Sequence, residues 1–214
     1  MKSGLKRQER LDLILLTIRS DIADLALRLF GPRVRRETAA AISETPELIV
    51  DICTGTGSVL LEYARRFPSS RIVAVDRDPR VLALVRRRLE NVGFMNLEVV
   101  AAEAGRLPLR EGSVDLVNIS FGLHESERPS RERILSECFR VLKPGGGLVV
   151  TDYREARTRA GAALMRLYLA LFEPRWVPEI FHGGLERETE AAGFEIESVR
   201  SDLPLTTMVV ARRR

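Results

Sequence analysis

Cysteine is nearly absent from this sequence: Cys53 and Cys138 stand far apart, and no CxxC pair occurs. They frame neither a disulfide scaffold nor, by spacing, a metal centre. The two histidines, His124 and His182, are equally isolated, so no metal is expected. No apolar run reaches the roughly 18 residues of a membrane span, because Arg or Asp cuts the longest ones. Repeats and low-complexity segments are missing as well. Lysine is confined to Lys2, Lys6 and Lys143, which makes the positive charge almost entirely arginine. The 34 basic residues face 30 acids scattered along the same expected helices. That mixture reads as a solvated surface, and nucleic acid is not expected as a partner. The opening MKSGLKRQERLDLILLTIRSD resembles a leader only briefly. Its apolar core is short, Asp12 and Arg19 interrupt it, and no small-residue cleavage site follows. An amphipathic helix of a cytoplasmic protein is the expectation.

What is present is regular alternation. Leu11, Ile14, Leu15, Ile18, Ile22, Leu25 and Leu29 repeat at helical spacing over 5–29, FGPR at 30–33 breaks the pattern, and a second helix is expected over 34–44. LIVDI (48–52) reads as a strand buried on both faces, and SVLLEYARRF (58–67) as a helix stopped by Pro68. A second strand follows over 71–78. Asp78-Pro79 then opens a helix running to Gly93. Further strands are expected over 97–104, 113–120 and 147–153, with a helix over 127–142 ending before KPGGG. Helices over 157–173 and 185–193 and strands over 194–202 and 206–213 close the chain. Strand-helix alternation from 48 to 153 predicts an α/β fold, a doubly wound, seven-stranded, mostly parallel Rossmann-like sheet. A short loop around LPL joins the last two strands, so the sheet should carry an antiparallel edge. The expected organisation is one domain over 1–214: a helical appendage over 1–45, a core over 46–155, and closing helices and strands over 156–214.

Open sheets of this kind bind ligands at the carboxyl ends of their strands. There the sequence places Asp51, then the loop Cys53-Thr54-Gly55-Thr56-Gly57, directly before a helix start. Small residues and glycines let a ligand approach backbone N–H groups at a helix N-terminus. Asp76 ends the next strand, nineteen residues after Gly57, a spacing that suits a carboxylate on a ribose. A dinucleotide loop would have a third glycine at position 60, where Leu60 stands, and a P-loop would have a lysine. Asp51 would repel a pyrophosphate and would hold an amino group. S-adenosylmethionine carries an amino group, a sulfonium and a ribose without phosphate, and fits these residues.

With these blocks in order, residues 48–153 resemble the class I S-adenosylmethionine-dependent methyltransferases. VDICTGTG is similar to that family's first block, with Cys53 where a third glycine is usual. Asp76 in VAVDRDP stands at the ribose-binding acid, with Arg77 along the adenine. AEAGRLPLREGSVDLV is similar to the third block, with Glu103 in the slot of the Asp that meets the adenine amino group and Ala104 beside it. RVLKPGGGLVV leads into the fifth strand. SFGL at 120–123, the LYLALFEP helix and AGFEIESV further resemble the ubiquinone/menaquinone C-methyltransferase group. The sequence departs from that group with His124-Glu125 in place of Arg-Asn, and its N-terminal Tyr-Asp signature is missing.

The resemblance implies direct transfer of a methyl group from S-adenosylmethionine, leaving S-adenosylhomocysteine, to a small hydrophobic or aromatic acceptor such as a quinol. Asn118 and Ser120, at the end of the fourth strand, are expected to meet the cofactor's amino-acid part. His124 is the candidate base. Phe121, Tyr153 and Trp176 are candidate acceptor walls, with Phe172, Phe181 and His182 near them in sequence. Two other functions compete. One is methylation of nucleic acid or protein, for which Asn118-Ile119-Ser120-Phe121 lacks the two prolines of the amine-methylating N-P-P-Y/F turn. The other is a non-catalytic cofactor-binding subunit. A lipidic acceptor would bring peripheral membrane contact. The oligomeric state stays open, with a homodimer among the options.

Overall fold

A computed structural model of the chain describes residues 31–172, 176–181, 184–203 and 205–214. The helix expected over 5–29 and His182 lie outside the described residues, as does the side chain of Phe172. Seven strands form one sheet: β1 (Leu48–Ile52), β2 (Arg71–Asp76), β3 (Leu97–Ala101), β4 (Val114–Ser120), β5 (Leu142–Tyr153), β6 (Phe194–Arg200) and β7 (Thr206–Arg213). Their order is β3-β2-β1-β4-β5-β7-β6. The first five run parallel, and β7 is antiparallel to both neighbours. The order reverses between β1 and β4, so the switch point lies where Asp51 pairs with Asn118.

Helices α1 (Gly31–Ala40), α2 (Ser58–Arg66), α3 (Pro79–Glu90), α4 (Arg128–Val141), α5 (Arg159–Phe172) and α6 (Gly184–Ala191) complete the described fold. Successive residues of β1 point into opposite cores. Val50 and Ile52 pack with Leu135 and Cys138 of α4, and Ile49 packs with Leu60 of α2 and Leu89 of α3. Leu60 and Leu89 are fully buried, each contributing about 2 kcal/mol of apolar transfer. The continuous apolar reading of LIVDI follows from this two-sided cover.

Several boundaries differ from the sequence expectation. Pro32 and Arg33, expected in a break, lie within α1. The KPGGG segment, expected as a loop, belongs to β5: Leu142 pairs with Val114 and Gly147 with Leu116, and the residues between them bulge out. β3 ends at Ala101, although Ala102 N–H still donates to Asp76 O at 3.1 Å. Asp78 caps α3 as expected, accepting from Arg80 N–H at 2.8 Å.

Candidate active site

At the switch point the end of β1 is a buried polar knot. Asp51, 2% exposed, accepts from Thr54 Oγ1 on one carboxylate oxygen and from Asn118 Nδ2 on the other. Asn118, itself fully buried, accepts from Tyr63 Oη of α2 at 3.2 Å, and its amide also reaches Ser120 Oγ at 3.1 Å. Burial holds the Asp51 carboxyl at about 6, well above its ordinary value, against the lowering pull of the Thr54 and Asn118 bonds.

The glycine loop is bound to the end of β2. Gly55 N–H donates to Asp76 Oδ2 at 3.1 Å, Asp78 N–H to Asp76 Oδ1 at 3.0 Å, and Thr54 N–H to Val75 O at 3.1 Å. Gly57 has φ +69°, and a Cβ there would meet Val85 Cγ2 of α3 at 3.1 Å, so glycine suits both the turn and the packing. Arg88 closes the far side, donating to Thr56 O at 2.7 Å. Cys53 holds the left-handed conformation, φ +55°, at the position where glycine was usual in the family pattern. Its side chain occupies space that Gly122 vacates: a Cβ on Gly122 would stand 2.6 Å from Cys53 Cβ and 3.0 Å from Sγ. Burial, with Asp76 and Glu125 nearby, pushes the Cys53 thiol up to about 12, so it stays protonated at neutral pH.

Two adjoining cavities open on this loop. The larger, about 830 Å³, is lined among others by Asp51, Cys53, Thr54, Gly55, Thr56, Asp76, Arg77, Ser120 and Phe121. The smaller, about 390 Å³, is lined by Glu103, Ala104, Arg106 and Ile134 and shares Cys53, Asp76, Arg77, Gly122 and Glu125 with the first. Both lie in the size range of small-molecule sites. Gly57 and Asn118 are absent from either lining; they act from behind, on the loop and on Asp51. α2 starts without a side-chain cap, and its Ser58 and Val59 line the larger cavity beside Arg35 of α1. Arg35, Arg88 and Glu125 are cavity residues that sequence reasoning missed. Each comes from an element whose placement over the loop is a tertiary event.

The other expected residues cluster beside the cavities. Phe121, φ +54°, is followed by a tight turn over Leu123–Glu125. His124 is buried, with Nδ1 2.8 Å from Asp152 Oδ1, while Leu123 N–H and His124 N–H both donate to Asp152 Oδ2 at 3.1 Å. An ionised carboxylate only accepts, so the ring bonds it through Nδ1–H. Tyr153 lies edge-on to Phe121 at 5.4 Å and against the His124 ring at 4.6 Å. Trp176 Nε1–H donates to His124 O at 3.0 Å. His124, Tyr153 and Trp176 therefore form one group behind Phe121, outside the lining of both cavities. Phe181 is buried with Val177 and Ile180. Below them Arg131 of α4 is fully buried and bonds Glu188 at 2.7 and 2.8 Å, Glu179 at 2.8 Å and Ser126 O at 2.7 Å. Nothing in the run of charges along α4 distinguished Arg131 from its solvated neighbours.

Residues 49–146 match the description of a methyltransferase domain. The chain resembles that domain over a little under half of its length. It is 34% identical over 151 residues to a demethylmenaquinone methyltransferase of Thermus thermophilus, covering 71% of this chain and 64% of that protein. It thus spans a little under two thirds of the length of that curated relative. Among solved structures, an S-adenosylmethionine-dependent methyltransferase of Aquifex aeolicus aligns with TM-score 0.68 and 22% identity over 92% of this chain and 98% of the other. The [4+2]-cyclase SpnF aligns with TM-score 0.69 and 19% identity over 85% and 80% of the two chains. The structural likenesses speak for the fold alone, since one fold can host more than one chemistry. Among the described residues no helix is long and apolar enough to cross a membrane.

Proposed function

We propose that the chain binds S-adenosylmethionine and transfers its methyl group to a small, hydrophobic or aromatic acceptor of the quinol type. The observation that carries this reading is the pair of carboxylates, Asp51 and Asp76, at adjacent strand ends and both bonded to one glycine loop. Two acids at that loop oppose a pyrophosphate and favour a cationic, phosphate-free nucleoside. The donor set fits such a group. Asp51 would take the amino group, and the uncapped start of α2 with Arg35 would take the carboxylate. Asp76 would accept from the ribose hydroxyls, Arg77 would lie along the adenine, and Glu103 beside Ala104 would meet its amino group.

When bound, the cofactor supplies a methyl group made electrophilic by its sulfonium. The chain's part is positioning: Thr54 and Asn118 fix the Asp51 carboxylate, Cys53 and Gly122 form the shared wall of the two cavities, and Phe121 shields the acceptor side from water. For a carbon or phenolic nucleophile, His124 is the proposed proton acceptor and Asp152 its orienting partner, a role that requires the Phe121 side chain to turn aside, because His124 lies behind it and outside both cavities. His124→Gln should abolish methyl transfer to a quinol while S-adenosylhomocysteine affinity stays within about twofold. A parallel loss of affinity would assign His124 to holding the Gly122–Glu125 wall instead.

The likeness to a demethylmenaquinone methyltransferase supports the acceptor class. Methylation of exocyclic amines is disfavoured because the Asn118 amide is committed to Asp51 and Ser120. The test is calorimetric titration with S-adenosylhomocysteine, S-adenosylmethionine and NAD in parallel. Micromolar binding of the two adenosyl ligands without NAD supports the proposal, and NAD binding alone overturns it. Binding without transfer to any quinol would favour a non-catalytic cofactor-binding subunit.

A further inference from the structure

Beyond β5 lies a third cavity, about 360 Å³, lined by Arg154, Glu155, Ala156, Arg157, Glu186, Ser201 and Thr207. It draws on separate parts of the chain: the segment after β5, the first turn of α6, and the β6–β7 connection with the start of β7. Its charges are unusually arranged. Among the described residues Arg154 donates to carbonyls, Thr206 O at 3.4 Å and Glu155 O at 3.1 Å, and Arg157 donates to Ser201 O at 2.9 Å. Among the described residues no carboxylate lies within ion-pair distance of either guanidinium. The Glu155 carboxylate is engaged by Arg166 at 2.6 Å. Each guanidinium carries five N–H donors, so most remain uncommitted. Burial and the neighbouring Arg157 both pull the Arg154 pKa below its ordinary value, the signature of positive charge without a counterion. Ser201 Oγ and Thr207 Oγ1, 3.4 Å apart, add two hydroxyls. Against these donors stands one acceptor: Glu186 Oε2 is buried without a hydrogen-bond partner.

We propose that this cavity binds a singly protonated phosphate group, free or as a small phosphomonoester, separately from the methyl-donor site. The two guanidiniums and two hydroxyls supply donors for an oxyanion. The orphaned Glu186 oxygen requires a donor, and a buried unpaired acceptor is costly to leave unmet. Phosphate satisfies both: a monoester, with a second pKa near 6, keeps a proton on one oxygen over part of the neutral range, and free phosphate keeps at least one throughout it. That P–O–H group donates to Glu186 while the remaining oxygens accept. Sulfate carries the same shape and no proton at neutral pH, so it would press a bare oxygen against the Glu186 carboxylate. The site should therefore discriminate between two anions of nearly equal size, which simple charge attraction does not do.

The experiment is titration of the full chain at pH 6.5 with inorganic phosphate, glycerol phosphate and sulfate, followed calorimetrically. The expected result is phosphate binding at least about tenfold tighter than sulfate. The glycerol phosphate arm separates the two sources: tighter binding than inorganic phosphate assigns the site to esters, and equal or weaker binding to the free ion. Arg157→Ala, at an exposed position that leaves the core untouched, should weaken phosphate at least about tenfold. Glu186→Gln, whose amide can donate, should bring sulfate to within about threefold of phosphate. Equal affinity for the two anions in the unaltered chain, no phosphate binding at millimolar concentration, or binding indifferent to Arg157→Ala would each overturn the proposal.

Discussion

Asp51 sets stability against binding in a way that a single substitution can expose. Its carboxyl is buried at the end of β1 and held at about 6, against 3.8 for the free side chain, chiefly by desolvation. A group whose folded pKa is raised binds its proton more tightly when folded. Its contribution to stability is therefore full below about pH 4 and is lost as pH rises through 6. At 1.36 kcal/mol per unit, a shift of roughly two units makes ionised Asp51 a burden of about 3 kcal/mol at pH 7. Asp51→Asn removes that charge, keeps an oxygen for Asn118 Nδ2 and turns an amide N–H toward Thr54, whose hydroxyl must change from donor to acceptor, a neutral bond weaker than the charged one by about 1–2 kcal/mol. The net expectation at pH 7 is a gain of about 1–2 kcal/mol, equivalent to some 2–8 °C in Tm for a chain of this size. Below pH 4 the gain disappears, because the Asp51 side chain is then protonated and both proteins hold a neutral group at this position. Urea denaturation of both proteins between pH 4 and 8 isolates the term as a difference, since every other titrating group is common to them. The same variant should bind S-adenosylhomocysteine at least about tenfold more weakly, since a neutral amide replaces the partner proposed for its amino group. A variant less stable at pH 7, with a stability difference flat in pH, would refute the electrostatic reasoning. Unchanged affinity would remove Asp51 from the site.

Asp76→Ala is expected to lower S-adenosylhomocysteine affinity more than tenfold in calorimetry while far-ultraviolet circular dichroism stays native, and an unchanged affinity would remove it from the ribose position. Gly122→Ala should destabilise by about 1–3 kcal/mol in urea titration, because its new Cβ would stand 2.6 Å from Cys53 Cβ. Cys53→Gly in the same chain should recover most of that loss, and a double-mutant cycle showing no coupling would refute the pairing. Arg131→Ala strands Glu188 in the interior and should cost about 3–5 kcal/mol by thermal or chemical denaturation, whereas Arg128→Ala, on the exposed face of the same helix, should cost under about 1 kcal/mol.

Much of the candidate site was legible because its residues lie close together along the chain. The sequence Asp51 to Gly57 encodes its own turn: a buried strand ends, two glycines take positive φ, and a helix begins within a few residues. The same holds for Asp78-Pro79, where a cap and a first-turn proline act over three positions. Alternation from β1 to β5 then obliges a parallel sheet, and right-handed crossovers bring the ends of β1 and β2 side by side. The pairing of the acids at those ends is accordingly already implied by the sequence.

Tertiary structure decided the contacts between distant residues. Asn118 reaches Asp51 across 67 positions, Arg131 reaches Glu188 across 57, and His124 reaches Asp152 across 28. In sequence, Arg131 is one of several arginines on a charged helix, and Asp152 is one acid at the end of a strand. Burial makes each of them consequential, because removal from water turns an ordinary charge into one that must find its partner. KPGGG shows the same limit for the backbone, since glycines that signal a loop were drawn into β5 by pairing with β4 on either side of a bulge. Local dihedral preference and spacing act over a few residues and were fixed by the sequence alone. Desolvation and strand pairing depend on what the fold lays across each segment, so the networks behind the cavities came into being only with the assembled sheet.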